Sequence, residues 1–298
     1  MTDAFPGILL WGTDLGGEWP GRCVFERVET VPQADDQDYP KRLTEVAQAM
    51  GADLVIPATE PELSRLATEH MPAAELPLLM NTPEVIRRFL DKMATSDWLT
   101  EVGVDVPATR LLADAHKNDL PLMIKPRRSS GSRGLEIVRT AAHLAFCQTV
   151  RDGDSIAQEL LETEDCEFTC ALFRHGDTIQ TLIMRRWLVG GLTGRMVIED
   201  HPEITDLLMR IGKRLPETAA VNVQLRQVGN RFSVFEINPR LSSTTMMRHR
   251  VGFQDAQWWV AAHLWNQAPP PFTPPVGTWV YRTYGEILVP QRTSDHDH

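Results

Sequence analysis

Apolar and polar positions change period several times along the chain, and each change marks an element. Ile8 to Trp11 is a short apolar run that predicts a first buried strand, and Arg22 to Thr30 alternates as a second. From Tyr39 to Met50 the apolar residues recur at helical spacing, and "GADLVIPATEPEL" (51–63) then reads as strand, turn and helix start. This β, β, α, β order predicts a small open α/β domain with the Pro57 to Glu60 loop at a strand's carboxyl end. The domain is abbreviated, because Gly12 to Pro20 is glycine-rich and too short for the usual crossover helix.

Thr82 to Val102 follows as a helix, with Thr82 as N-cap and Pro83 in the first turn. Beyond it the pattern is strand-rich. "PLMIKPRRSSGSRGLEIVRT" (121–140) reads as strand, loop and strand, "AAHLAFCQTV" (141–150) as a helix and "SIAQELL" (155–161) as a buried strand. Glu167 to Leu188 holds two alternating strands about a His175-Gly176-Asp177 turn; Glu203 to Leu215 is a helix; "AVNVQLRQVGNRFSVFEINPR" (220–240) is a second hairpin turning at Gly229-Asn230. A proline-rich linker, "APPPFTPPVG" (268–277), precedes a last strand, "TWVYRTYGEILV" (278–289). Trp258, Trp259 and Trp265 fall at helical spacing after Asp255 and are assigned to the core, as are Met246 and Met247.

A length of 298 residues predicts two or more lobes sharing one cleft. The formal net charge of −10 excludes wholesale nucleic-acid binding by a basic surface, so any anion site is local. No apolar run approaches the roughly 18 residues of a membrane span, and the chain reads as cytoplasmic, with neither nucleic acid nor membrane as partner. Cys23, Cys147, Cys166 and Cys170 contain no CxxC pair, which argues against a disulfide framework and against zinc held by the Cys166–Cys170 pair.

Candidate chemistry concentrates in two places. In Lys125 to Gly134, KPRRSSGSRG, the residues Ser129, Ser130, Gly131, Ser132 and Gly134 offer small side chains and exposed N–H groups, while Lys125, Arg127, Arg128 and Arg133 supply positive charge. Polyphosphate is the natural guest, the alternative being a solvated loop. No G-x-x-x-x-G-K-[ST] occurs, and a strand follows instead of a helix, so this is not a Walker A loop. On the late hairpin, Glu236 and Asn238 are two apart and share a strand face, with Gln224 alongside on the paired strand. Three hard oxygen donors suit Mg²⁺; the alternative is an ordinary polar sheet face. Arg240 and the Ser242 to Thr245 run continue that segment with a cation and hydroxyls, which favours phosphoryl transfer. Arg185 and Arg186 alternate, so only one can face the cleft. His249, His263 and the histidines of the "DHDH" tail lack ligand partners at metal spacing, and the tail reads as disordered.

In order along residues 80–252, four motifs resemble those of ATP-grasp ligases, nearest the carbamoyl-phosphate-synthase-like branch. Leu90-Asp91-Lys92 resembles the "NDK" segment whose lysine meets nucleotide phosphates, and Lys125 with the following hairpin resembles the family's phosphate-covering loop. Gln158-Glu159-Leu160-Leu161 resembles the hinge strand that holds adenine, and Glu167 the ribose-binding glutamate. "NVQ…FEINPR" resembles the metal hairpin, which makes Gln224, Glu236 and Asn238 the implied Mg²⁺ (or Mn²⁺) ligands and Arg240 the implied contact to the transferred phosphoryl group. Arg186, with Arg195 as second candidate, is implied to touch phosphate or substrate carboxylate. Three departures stand out: "LETEDCE" lacks the glycine usual before the ribose glutamate, the N-terminal domain is short, and "LDK" loses the polar cap of "NDK".

The resemblance implies an α/β (α+β ATP-grasp) fold: an abbreviated N-terminal open α/β domain over 1–79, and a two-lobed ATP-grasp domain with antiparallel sheets over 80–268. Within the latter, about 120–160 form the nucleotide-covering lobe and 161–268 the metal and substrate lobe; linker, terminal strand and tail occupy 269–298. It further implies an ATP-dependent carboxylate–amine ligase acting through an acyl phosphate on small amino-acid-like substrates, with a homodimer as a possible assembly. The alternatives are a carboxylate or carbamate kinase and a non-catalytic ATP-binding regulator.

Overall fold

Trp11–Asp14 (β1) and Arg27–Thr30 (β2) pair in parallel, Trp11 opposite Arg27. Tyr39–Met50 (α1) follows, with Pro40 in its first turn and Tyr39, Leu43, Val46 and Ala47 on its buried stripe. Val55 then bridges to Leu78 in parallel. These elements belong to one of two compact units of the computed structural model, made of Met1–Val55, Glu69–Leu78 and Thr283–His298; the other is Ile56–Thr68 with Leu79–Arg282. The residues described are 5–16, 20–69, 76–129, 134–151, 153–162 and 167–286. The first N-terminal strand lies later than its apolar run suggests, and the second is both later and shorter. Trp11 opens β1 where it was expected to close it, and Pro20–Cys23 forms a 3-10 turn in place of the front of the second strand, as befits a segment holding Pro20 and Gly21.

The larger unit begins with Glu60–Thr68 (α2), Pro83–Phe89 (α3) and Lys92–Glu101 (α4). Thr82 caps α3 as its sequence suggests, its Oγ1 accepting from the Val85 N–H. The single helix expected over 82–102 is broken at Leu90–Asp91. Asp91 is extended (φ −105°, ψ 109°), and its Oδ1 accepts from the N–H groups of Met93 (3.0 Å) and Ala94 (3.2 Å), starting a new helix. The polar cap that "LDK" was expected to lack is therefore present, supplied by Asp91. That carboxylate also accepts from Arg127 Nε (2.7 Å) and Arg128 Nη2 (2.9 Å), and these bonds hold its pKa below the ordinary carboxylate value against the upward pull of burial.

A four-stranded antiparallel sheet comes next, from Thr109–Leu111 (β3), Leu122–Pro126 (β4), Glu136–Val138 (β5) and Ser155–Glu159 (β6), in the order β3-β6-β4-β5. Ala141–Val150 (α5) covers one face, packing Leu144 and Cys147 onto Leu122, Ile124, Val138 and Ala157. The second sheet has six antiparallel strands, in the order β11-β10-β7-β8-β9-β12. They are Glu167–His175 (β7), Thr178–Val189 (β8), Leu192–Ile198 (β9), Thr218–Val228 (β10), Arg231–Asn238 (β11) and Trp279–Tyr281 (β12). Pro202–Arg214 (α6) lies between β9 and β10; Thr245–His249 (α7) and Asp255–Trp265 (α8) follow β11.

Alternation divides the faces of this sheet. Phe168, Cys170, Leu172, Val221, Val223, Leu225, Val234 and Ile237 form one core with Phe89, Trp98, Leu99 and the apolar stripe of α6. On the opposite face Trp258 of α8 packs on Phe173, ring centroids 6.0 Å apart. Trp258, Trp259 and Met247 are buried as expected. Trp265 and Met246 are not, at 56% and 63% exposed; Trp265 sits in the last turn of α8, and Met246 on a five-residue helix too short to bury two sides. The last strand covers three residues of the expected run. Its end from 287 on, and the histidine-rich tail, lie outside the described residues. No helix among the described residues is long and apolar enough to cross a membrane.

Candidate active site

On β4, Leu122 and Ile124 point into the α5 core, so Met123 and Lys125 take the other face. Lys125 is 5% exposed. Its Nζ donates to Gln158 Oε1 (2.8 Å), and Gln158 Nε2 donates in turn to Thr109 Oγ1 (2.8 Å). Burial lowers the Lys125 pKa to about 8, assisted by Lys92 and Arg226 and opposed by Glu236. Lys92, in the first turn of α4, donates from Nζ to the Ser129 carbonyl (2.7 Å) and to Ser129 Oγ (3.2 Å). Burial lowers its pKa too, with Glu236, Glu60 and Asp91 opposing. Gly134 ends the hairpin at φ +70°, where a Cβ would stand 3.0 Å from Pro126 Cγ, so glycine is needed on both counts. Ser130, Gly131 and Ser132 lie outside the described residues.

The open end of the six-stranded sheet carries a polar row. Gln224 pairs with Glu236 on one side and Thr169 on the other; Asn222 pairs with Asn238 and Ala171; Arg226 pairs with Glu167. On β11, Leu225 faces Val234 and Gln224 faces Glu236, so Phe235 is an extra residue. Strict alternation would align Glu236 with the core residues Phe232 and Val234; the bulge resets the parity and turns Glu236 and Asn238 to the polar face. Arg186 donates to Glu167 Oε1 from Nη2 (2.6 Å) and to Gln224 Oε1 (2.9 Å). Arg226 donates to Glu167 Oε2 (2.6 Å) and to the Leu161 carbonyl (2.9 Å). Burial alone would raise the Glu167 pKa, but the two arginines outweigh it and hold it below the ordinary value. Glu159 accepts from Arg231 and from the Ala108 N–H (3.2 Å).

Glu236 and Asn238 suit a hard cation. Both offer oxygen on one face, and Glu236 forms no ion pair among the described residues although Lys92 and Lys125 feel its charge. Beside Asn238, the Nδ2 of Asn222 is buried without a partner among the described residues. Gln224 differs, since its oxygen already accepts from Arg186. Arg240 donates from Nη2 to Glu60 Oε1 (2.7 Å), joining β11's end to the start of α2.

Arg195 is not brought to this group. It pairs with Trp187, the neighbour of Arg186, and so occupies the opposite sheet face, with its guanidinium 4.7 Å from the Trp187 ring centroid and 5.8 Å from that of Trp279. A bulge at Gly194 sets that register; a Cβ there would meet Val189 Cγ2 at 2.6 Å. Arg185 likewise turns away, pairing with Glu199 at 2.6 Å. Two residues that sequence reasoning gave no role belong to the site. Arg226 was signalled by the same two-residue spacing from Gln224 that marks Glu236 and Asn238; Glu60 was marked only by its place in the Pro57 to Glu60 loop at a strand's carboxyl end, because its partner Arg240 lies 180 residues away.

A family model described as ATP-grasp in the biosynthetic pathway with Ter operon matches residues 151–280. No curated protein sequence matches. Among solved structures, L-amino acid ligase from Bacillus licheniformis is 18% identical with a TM-score of 0.66, over 85% of this chain and 67% of that one. The biotin carboxylase domain of Hydrogenobacter thermophilus 2-oxoglutarate carboxylase, in complex with MgADP, ADP and bicarbonate, is 13% identical with a TM-score of 0.72, over 92% and 68%. Carboxyaminoimidazole ribonucleotide synthase from Aspergillus clavatus, complexed with ATP, is 13% identical with a TM-score of 0.62; 80% of this chain is covered, but only 64% of that protein's length. These likenesses do not single out the carbamoyl-phosphate-synthase-like branch. With its mixed α/β content, its two antiparallel sheets and two buried lysines that feel the charge of Glu236, the chain has the ATP-grasp fold.

Proposed function

We propose that the chain is an ATP-dependent carboxylate–amine ligase of the carbamoyl-phosphate-synthase-like kind, releasing ADP and phosphate. One observation carries this reading: Lys92, Lys125, Arg186, Arg226 and Arg240 form one connected network with Glu60, Glu167 and Glu236, and Asp91, which also acts on Lys92, is itself paired with Arg127 and Arg128. Among these groups seven cations stand against four carboxylates, and a polyphosphate would neutralise the excess. Lys92, Lys125 and the 129–134 hairpin would hold the phosphates, and the Glu159 to Leu161 hinge the adenine. Glu167 keeps Arg186 and Arg226 oriented, each of its oxygens accepting two guanidinium N–H groups, so a ribose hydroxyl would have to take the place of one of them. Glu236 and Asn238 would hold Mg²⁺ or Mn²⁺, which when bound supplies charge neutralisation at the transferred phosphoryl group.

A carboxylate oxygen attacks the γ-phosphorus and ADP leaves; an amine then attacks the acyl carbon and expels phosphate. Such transfers depend on positioning and electrostatics, which Lys125, Arg186 and Arg240 provide without a covalent protein intermediate. The fold shared with an L-amino acid ligase and with a carboxyaminoimidazole ribonucleotide synthase supports small carboxylate and amine substrates. The dimeric biotin carboxylase domain supports a homodimer.

The test is trapping with hydroxylamine, which converts an acyl phosphate to a hydroxamate. Over a panel of amino acids and other small carboxylates, ADP release requires the carboxylate, hydroxamate accumulates, and Arg240→Ala abolishes it while ATP still binds. ATP binding with neither ADP nor hydroxamate across the panel would instead identify a nucleotide-binding regulator.

The buried lysine adds a pH dependence. Its pKa of about 8 lies below the ordinary 10.5, so between these values the unfolded chain binds the extra proton and this residue's contribution to stability rises with pH. Phosphate favours the charged form, so ATP binding above pH 8 takes up a proton and weakens. Calorimetry in buffers of different ionisation heat should detect that uptake in the wild type and a smaller one in Lys125→Gln, where Lys92 remains.

A further inference from the structure

We propose that the outer side of the four-stranded lobe carries a separate site for a thiophilic divalent cation such as Zn²⁺, made by Glu136, His143 and Cys147. Their ligand atoms all lie within 4.8 Å of one another. His143 and Cys147 are one helical turn apart on α5, which puts both side chains on one face, and Glu136 opens the neighbouring β5. His143 Nε2 is 2.6 Å from Glu136 Oε1. Arg151 donates to the other oxygen, Oε2 (2.6 Å), and to the Gly134 carbonyl (2.9 Å), so the carboxylate is aimed by a partner that leaves Oε1 toward the imidazole.

The donor set decides the metal class. One imidazole nitrogen, one thiolate and one carboxylate oxygen suit Zn²⁺, whereas the all-oxygen pair Glu236 and Asn238 suits Mg²⁺. Three protein ligands leave a fourth tetrahedral position to water, and the side chains of His143 and Glu136, 36% and 34% exposed, give the ion a way in. Cys147 is fully buried at the edge of the α5 core, where burial and the Glu136 carboxylate raise its thiol pKa against the opposing pull of Arg151. The incoming cation displaces the thiol proton to solvent, while Glu136 keeps Arg151 on its other oxygen. An ion there would tie α5 to β5, the strand into which the phosphate hairpin returns.

The experiment is a Co²⁺ titration of the full-length protein after chelator treatment, read by the thiolate-to-cobalt charge-transfer absorption, with Zn²⁺ as competitor. Oxygen ligands alone do not give that band, so occupancy of the Glu236 and Asn238 face does not interfere. Expected are a saturable band in the wild type and in Cys23→Ser, displacement by Zn²⁺, and loss of the band in both Cys147→Ser and His143→Ala, with circular dichroism unchanged. Absence of a band in the wild type, or its survival in Cys147→Ser or His143→Ala, overturns the proposal. Glu136→Gln should weaken Co²⁺ binding at least tenfold; unchanged affinity would remove Glu136 from the ligand set and with it the site as described.

Discussion

Glu236→Gln loses ADP formation by on the order of a hundredfold or more while remaining folded. The substitution keeps the side chain's shape and removes one negative charge from the place where a divalent cation and the phosphates would meet, and metal-borne charge stabilisation in such transfers is worth several kcal/mol. It has a second consequence through the lysines. Glu236 is the strongest group holding the Lys125 proton against burial, and it acts likewise on Lys92. Without it the lysines lose their protons at lower pH, so the pH above which ATP binding weakens falls below that of the wild type. Steady-state ADP release and the pH profile of ATP binding check both parts. Full magnesium-dependent turnover in the variant contradicts the metal assignment, whereas lost turnover with an unmoved profile would sever Glu236 from the lysines.

Asp255→Ala costs about 3–5 kcal/mol of folding stability, the scale of a buried ion pair from which one partner has been removed. Arg248 and Asp255 are 1% and 2% exposed, joined by Nε to Oδ1 at 2.9 Å and Nη2 to Oδ2 at 2.5 Å. The remaining Arg248 nitrogen donates to Ser242 Oγ (2.7 Å) and Thr244 Oγ1 (3.1 Å), so this pair also anchors the loop that leaves β11 just past Arg240. A lone guanidinium would remain in a site that water cannot reach. Urea denaturation measures the loss. The double variant Arg248→Met with Asp255→Leu recovers most of the stability, because it removes both charges, but leaves the Ser242 to Thr245 loop unanchored.

Much of the fold was legible because its elements are local. The limits of α1 and α5 coincide with those read from apolar periodicity, and both hairpins turn at the glycines that mark them. Features set by competition between local and distant groups were harder to see. Asp91 broke the expected long helix, since a carboxylate that caps α4 and binds Arg127 and Arg128 gains more than helix continuity offers. Period showed that Glu236 and Asn238 share a face but not which face, because the bulge at Phe235 leaves no mark in composition. The arginines show the same limit from another side. Sequence offered Arg186 first and Arg195 second for one role, and the register at Gly194 sends one to Glu167 and the other to Trp187.

That extra residue on β11 also governs which changes of length the strand can absorb. Every other position between Arg231 and Asn238 has a partner across the ladder, so deleting one forces part of the strand to slide and exchanges its inward and outward sides. Phe235 has none. Its removal would close the kink and bring Val234 next to Glu236 with all seven ladder pairs kept, making it the one position in this strand where the chain can shorten by a residue and leave Glu236 and Asn238 on the polar face.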